Sequence, residues 1–339
     1  MTKRKLKHKD KIIGLLVSLV FIVLIFWKLD FHELIAAFRM FDYRVLFLFV
    51  PIYVFSLYIR GVRWKYLLCL NEKLSVTEAF FTFTVGNTIN SYLPARAGDF
   101  WRAFHLGGKI GESKMKLLGS IILERLIDGI SILLILFFAI ISYFRHRWVL
   151  NIAIVSACLF FGALSLIYIV LKMNKTEYIF KKLSELPFLS AFKHQIETIG
   201  AHLMKFMSGF EVLNNPKCFF MAFFMSMLAW GFECLMTYMI ILGFGVHYGI
   251  SIALFTISFI ALSTVIPSSS IFIGPYQYAY ILALGIYNIE KEQALGTAFI
   301  HQMTIMLIIT AISVIYFLKG NTSLTDIQKE IIEEEGKDD

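Results

Sequence analysis

The segment best suited to binding a charged ligand is 87–102, where two arginines, one acid and two amides surround a proline and a glycine. Pro94 removes a backbone donor and disfavours helix in the residue before it, so a helix rising through 76–93 must break there. Gly98 permits a close or unusual backbone path, and Asp99 suits the cap of a second helix. The free N–H groups of that second helix would then point into the protein interior.

Arg96 and Arg102 place two permanent cations beside this break. Guanidinium forks match phosphate oxygens, so the segment predicts a site for a phosphate or phosphodiester headgroup. The alternative is that both arginines extend to the membrane interface and pair with Asp99. Charges deep in a broken helix are usually functional, which favours the headgroup site. Its predicted residues in this segment are Asn87, Asn90, Pro94, Arg96, Gly98, Asp99 and Arg102.

A second broken helix is predicted at 267–277, where the polar side chains are uncharged. It has a proline break, a glycine, and a proline at the first position of the helix that follows. Serines and an amide would supply neutral hydrogen-bond partners to the same headgroup. The predicted residues here are Pro267, Ser269, Gly274 and Gln277.

A third set of candidates is a charge network in otherwise apolar helices. Glu124 and Asp128 lie one helical turn apart on one face, with Arg125 adjacent for pairing. These three residues either hold the helices together or balance the arginines of the first break, and we favour the structural role. Glu233 is a lone acid in a later apolar run, and His301 is a lone imidazole. A buried carboxylate could carry protons or pair with an arginine, whereas a lone histidine is more often structural.

The elements that position these residues are helices in lipid. Of the 339 residues 58% are hydrophobic and only 17% are charged, which is too apolar for a soluble domain. Apolar runs near the length of a membrane-spanning helix recur along the chain, at 12–27, 45–59, 126–144 (interrupted only by Asp128), 148–171, 218–232, 234–289 and 303–318. The composition therefore excludes a soluble enzyme. The net charge of +8 is explained by membrane topology rather than by nucleic-acid binding.

Two basic tracts, before the first apolar run and within 172–217, set the predicted topology. By the positive-inside rule both face the cytoplasm, which also places both termini inside the cell membrane. The stretches 76–116 and 250–289 then each begin and end on one side, because their second arms are too short to span. We predict an all-α polytopic helix bundle with about six full spans plus two broken or re-entrant helical hairpins in an inverted repeat. Two additional full spans are the alternative.

The predicted organisation has four parts. Residues 1–173 form the first membrane half with its hairpin 76–116, and 174–216 form a cytoplasmic amphipathic connector. Residues 217–320 form the second membrane half with its hairpin 250–289, and 321–339 form a polar tail. The connector either lies on the inner membrane surface or packs against the bundle.

The pattern Asn…Leu-Pro-x-Arg-x-Gly-acid-x-x-Arg, followed by Glu-Arg-x-x-Asp and a later Pro-x(6)-Gly, resembles the flippase-like membrane domain of lysylphosphatidylglycerol synthases. Asp99 stands where that family more often has glutamate. The second break has serines and Gln277 where the family tends to have more glycine and an acid. The chain ends about twenty residues after its last apolar run, so we expect a stand-alone member without the soluble aminoacyl-transferase domain.

The resemblance implies a lipid transporter or flippase that moves an anionic, aminoacylated or polyprenyl-linked lipid between leaflets. Two alternatives stay open: a lipid-modifying transferase of the phosphatidylglycerol lysyltransferase type, and a scaffold subunit of an envelope-lipid synthase. We expect no catalytic residues, no metal and no cofactor. Expected partners are anionic phospholipid, glycolipid or polyprenyl-phosphate lipid; a separate envelope-lipid synthase and a second copy of the chain are further candidates.

Overall fold

The computed structural model describes residues 31–69, 74–93, 96–143, 147–173, 182, 193–264 and 274–319. These residues form eleven α-helices and one 3₁₀ helix, with no strand among them, which confirms the all-α fold class. The helices are α1 (Phe31–Met40), α2 (Val45–Leu68), α3 (Val76–Tyr92), α4 (Ala97–Ile110), α5 (Lys114–Tyr143), α6 (Arg147–Met173), α7 (Lys193–Met207), the 3₁₀ helix (Ser208–Asn214), α8 (Pro216–Gly243), α9 (Ser251–Ser263), α10 (Pro275–Gly285) and α11 (Lys291–Leu318).

Four of the described helices are long and apolar enough to cross a membrane: α2, α6, α8 and α11. They coincide with four of the predicted spans. The 30-residue α5 coincides with a fifth and is about 45 Å long, but it carries the charged cluster in its interior. The predicted first span, 12–27, lies outside the described residues.

The first predicted hairpin consists of α3 and α4, which pack against each other. The Ser75 hydroxyl caps α3 by accepting a hydrogen bond from the Glu78 N–H at 3.1 Å. The helix ends at Leu93, whose backbone is extended, and Arg96 then adopts a left-handed backbone conformation (φ 53°) before α4. Pro94 itself lies outside the described residues. The break therefore occurs where the proline predicts it.

The second predicted hairpin consists of α9 and α10, which also pack against each other. Residues 265–273 between them, with Pro267 and Ser269, lie outside the described residues. Gly274 precedes α10 with φ 107°, and Pro275 occupies the first turn of that helix, as its type favours. Whether either hairpin re-enters the membrane surface or spans it stays a prediction.

The two halves pack in one pattern. The helix before each hairpin, α2 or α8, contacts the first arm of its own hairpin, and the second arm contacts the following helix, α5 or α11. Across the halves, α3 packs on α11, α9 packs on α5, and α2 packs on α8. The connector helix α7 and the 3₁₀ helix pack on α5, where the Gly119 position lies directly against the Phe206 carbonyl. The first arm of each hairpin is consequently packed against a helix of the other half.

Candidate functional site

The first break is shaped by Asn90. Its side-chain oxygen accepts a hydrogen bond from the Gly98 N–H at 2.8 Å, and its side-chain nitrogen donates to the Asp99 carboxylate at 3.0 Å. An added Cβ at Gly98 would lie 1.9 Å from the Gly86 carbonyl oxygen, so only glycine lets α3 and α4 approach this closely. Asp99 was expected to cap α4, and this expectation was wrong. Asp99 lies in the first turn of the helix, and the Asn90 side chain accepts the free N–H instead.

A fully buried ion network lies beneath this break. Glu124 is the centre: one oxygen lies 2.9 Å from Nη2 of Arg102 and the other lies 3.0 Å from Nη2 of Arg63. Asp128, one turn further along α5, pairs with the other terminal nitrogen of Arg63. The Arg102 guanidinium also lies over the ring of Trp64, 4.2 Å from its centroid. Paired and hydrogen-bonded buried charges of this kind fix helices relative to one another.

The polar partners of Asp128 extend the network into the second half. The Ser226 hydroxyl and the Trp230 indole N–H, both on α8, each donate to the same Asp128 oxygen at 2.8 Å. Arg60 lies over the Trp230 ring and pairs with Glu233 at 3.1 Å. Charged and polar groups thus connect α4, α5, α2 and α8 without interruption.

Arg125 and Asp99 form the rim of the network, at its more exposed edge. Nη2 of Arg125 lies 3.0 and 3.3 Å from the two oxygens of Asp99, and the Arg125 side chain is one-third exposed. Asp99 is therefore held by Arg125 and Asn90 together. The predicted charge cluster of α5 is thus divided between the core of the network and its rim.

Arg96 differs from the other arginines of the site. It forms no ion pair within 4.0 Å in the part of the chain that the structure describes. Its Nη2 donates a hydrogen bond to the backbone carbonyl of Thr264 at 3.1 Å. Thr264 ends α9, so this bond joins the first break to the edge of the second. Arg125 and Asp99 are close enough to act electrostatically on Arg96. Four arginines, counting Arg63 and Arg102, meet only three carboxylates here, which leaves one positive charge in excess.

The second break is held by neutral groups. The Gly274 N–H donates to the Gln277 side chain at 2.8 Å, and the Gln277 amide donates to Gln302 on α11 at 2.6 Å. One turn along α10, the Tyr280 hydroxyl hydrogen-bonds to Nδ1 of His301. These contacts join α10 to α11 where the first half has ion pairs between α4 and α5.

Not every predicted headgroup residue is accessible to a ligand. Arg102 has no exposed surface, and its terminal nitrogens are engaged by Glu124. Asn87 lies on α3 between one and two turns before the break, is partly exposed, and accepts a hydrogen bond from the Ser91 hydroxyl at its backbone carbonyl. The structure brings two groups of the predicted residues together. Asn90, Arg96, Gly98 and Asp99 meet at the first break, and Gly274 meets Gln277 at the second.

The sequence interpretation did not single out two functional candidates, Arg60 and Arg63, which follow the apolar run 45–59. Both are buried and both pair with acids of other helices. The available signal was the need to compensate buried negative charge. Glu124, Asp128 and Glu233 lie within apolar helices, so buried cations had to be present nearby to pair with them. Among the described residues, no group of three His, Cys, Asp or Glu side chains could hold a metal ion.

Comparison with known proteins decides the family. The family described as "Lysylphosphatidylglycerol synthase TM region" matches residues 11–313. The chain belongs to this family. It is also 24% identical over 225 residues to the UPF0104 membrane protein MJ1078 of Methanocaldococcus jannaschii, an alignment that covers 63% of this chain and 86% of the relative. No solved structure matches. The match and the spanning helices make this a multi-pass membrane protein of the lysylphosphatidylglycerol synthase membrane-region family.

Proposed function

We propose that the chain moves a lipid with an anionic headgroup between the leaflets of the cell membrane, with both termini in the cytoplasm. The observation that carries this proposal is the position of Arg96. It is a partly exposed cation without a carboxylate partner among the described residues, and it lies where the two hairpins meet. A partly buried cation in a membrane protein is costly unless something compensates it, and a lipid phosphate would do so.

The buried network supports the proposal by keeping Arg96 in excess. The acids near the break are already engaged: Asp99 by Arg125 and Asn90, and Glu124 by Arg102. A collapse of Arg96 onto one of them would have to displace an existing partner. The guanidinium fork therefore stays available to two phosphate oxygens. In this account Arg102 positions the break, and Arg96 contacts the lipid.

The hairpin architecture supports movement as well as binding. A headgroup at Arg96 would lie beside the positive N-terminus of α4. The amide and hydroxyl groups of the second half would replace water around a headgroup that leaves the interface. Each hairpin packs on a helix of the other half, so a shift of one half against the other would change which side of the membrane the break faces.

The proposal is tested by lipid movement in vesicles. The full chain is reconstituted into phosphatidylcholine vesicles that carry a trace of fluorescent phosphatidylglycerol or fluorescent phosphatidylcholine, and dithionite then bleaches the label exposed outside. We expect faster exchange of the anionic lipid with the protein than in protein-free vesicles. A charged hydrogen-bonded pair contributes about 1.5–3 kcal/mol, so Arg96→Ala should slow this exchange about tenfold or more.

Two variants sharpen the test. Arg96→Lys keeps the charge but loses the fork, so it should restore only part of the rate. Arg44→Ala is the matched control, because Arg44 is an exposed arginine paired with Asp42 away from the break. Full activity of Arg96→Ala, or equal rates for both lipids, would contradict the proposal. A change in the chemical species of the lipid, found by mass spectrometry, would instead indicate a lipid-modifying transferase.

A further inference from the structure

The second half contains a buried titratable group that the headgroup site does not use. Glu233 lies in the middle of α8, is 9% exposed, and has one ion-pair partner among the described residues, Nη2 of Arg60 at 3.1 Å. By contrast, Glu124 is engaged by two arginines. A buried carboxylate with a single partner loses less on protonation than one held by two cations. Glu233 is therefore the acid of the described core that a proton neutralises with the smallest structural loss.

Titratable groups of three other helices lie in the electrostatic neighbourhood of Glu233. The charged and titratable groups that face it are Arg60 and Tyr53 from α2, Asp128 from α5, and Tyr276 and Tyr280 from α10, while α9 has no titratable side chain. Tyr280 hydrogen-bonds to His301 on α11. Nε2 of that buried histidine has no hydrogen-bond partner among the described residues. Phenol groups of α2 and α10 thus lie in the electrostatic neighbourhood of Glu233, and the imidazole of His301 lies beyond Tyr280.

The proton would act on the headgroup site through Arg60. This guanidinium lies over the Trp230 ring, whose N–H donates to Asp128, and it is close enough to act electrostatically on Asp128. Protonation converts the Glu233 carboxylate into a neutral acid, while Arg60 remains charged. Asp128 is then the nearest acid that can attract Arg60, and a shift of Arg60 would loosen Glu233 from α2 and disturb the pairs of Asp128 with Arg63. These are the contacts that join α2, α5 and α8.

We propose that Glu233 and Arg60 form a proton-binding site that couples lipid movement to a proton gradient, an inference that rests on the proposed lipid transport. One proton enters the carboxylate from one side of the membrane, the α2–α8 ion pair opens, and the proton leaves to the other side when the pair re-forms. The carboxylate is the acceptor and solvent is the source, so the step needs no further reactant. The lipid then binds at Arg96, beside the first break, and the proton binds at Glu233, at the α8 end of the ion network.

The test uses vesicles of the same composition, with a pH gradient of about one unit across the membrane and a pH-sensitive dye inside. Coupling of one proton to one lipid permits up to about tenfold accumulation of the fluorescent phosphatidylglycerol in one leaflet. Wild-type protein should therefore shift the leaflet ratio away from one and move protons as it does so. Glu233→Gln should leave the ratio near one with or without the gradient, while the label still exchanges between leaflets.

Controls keep the outcomes separate. Glu290→Gln changes an exposed acid at the start of α11 and should respond to the gradient as the wild type does. The double variant Arg60→Gln with Glu233→Gln replaces the ion pair by two amides and guards against misfolding caused by an unpaired arginine. A wild-type leaflet ratio that ignores the gradient, or a Glu233→Gln protein that still follows it, would overturn proton coupling. If the wild-type protein does not exchange the labelled lipid even without a pH gradient, the result contradicts the lipid-transport proposal rather than proton coupling.

Discussion

The two hairpins share an arrangement and differ in charge. At each break an amide side chain accepts the hydrogen bond of a glycine N–H: Asn90 for Gly98, and Gln277 for Gly274. The second arm is then joined to the next helix, by the Arg102–Glu124 ion pair in the first half and by Tyr280 with His301 in the second. One scaffold is thus stabilised by buried ion pairs on one side and by neutral hydrogen bonds on the other.

The difference indicates a division of roles. Removing one member of a buried ion pair costs about 3–5 kcal/mol, whereas a neutral hydrogen bond contributes about 0.5–1.5 kcal/mol. The first hairpin should therefore be the rigid one, which holds the cation at a fixed position. The second hairpin has weaker connections to its neighbours and is the better candidate for the part that moves.

The largest expected effect is the loss of the network centre. Glu124→Ala leaves two fully buried arginines without their shared acid, so the free energy of unfolding should fall by about 3–5 kcal/mol. Denaturant titration in detergent measures this, with the exposed Glu211→Ala as the control. A Glu124→Ala protein as stable as the control would remove the distinction between the first hairpin, held by ion pairs, and the second hairpin, held by neutral hydrogen bonds.

Close helix approach at the first break gives the next effect. Gly98→Ala places a methyl group against the Gly86 carbonyl and should lower the free energy of unfolding by about 1–3 kcal/mol. Gly108→Ala is the matched control on the same helix, because nothing lies within 4 Å of the added carbon. That control should be neutral or slightly stabilising. Equal stabilities of the two variants would mean that α3 and α4 are further apart than described.

A smaller loss of stability is expected for a change in the second hairpin. Tyr280→Phe removes the hydroxyl that hydrogen-bonds to His301 and leaves a buried ring nitrogen unsatisfied, at a cost of about 1–2 kcal/mol. The same titration compares it with Glu124→Ala, and hydrogen exchange should show faster opening of α10 than of α4. If Tyr280→Phe destabilises the protein more than Glu124→Ala, the second hairpin is the rigid one.

The smallest effect on stability belongs to the residue with the largest expected effect on transport. Arg96→Ala removes a partly exposed side chain with a recorded bond to a backbone carbonyl, so stability should change by no more than about 1 kcal/mol. Thermal unfolding of the variant beside the wild type measures this. A larger loss would show that Arg96 serves packing, and its effect on lipid exchange would no longer point to the headgroup.

The breaks were predictable from sequence because proline and glycine act locally. The helix α3 ends just before the position of Pro94 in the sequence, Pro275 begins α10, and Gly98 lies at a close approach of two helices. The pairing of Arg102 with Glu124 and of Arg63 with Asp128 was not predictable, because it depends on which helices pack together. Spacing along one helix favoured a pair within the α5 cluster, whereas tertiary packing pairs both acids with arginines of other helices.

The central claim is that the two hairpins meet around one headgroup site, and a crosslink tests it most directly. Ala97→Cys and Thr264→Cys are introduced after Cys69, Cys158, Cys218 and Cys234 have been replaced by alanine. A short reducible crosslinker should then join the two cysteines and stop exchange of fluorescent phosphatidylglycerol, and reduction should restore it. Absence of the crosslink in protein that still moves lipid, or full exchange in crosslinked protein, would contradict the shared site.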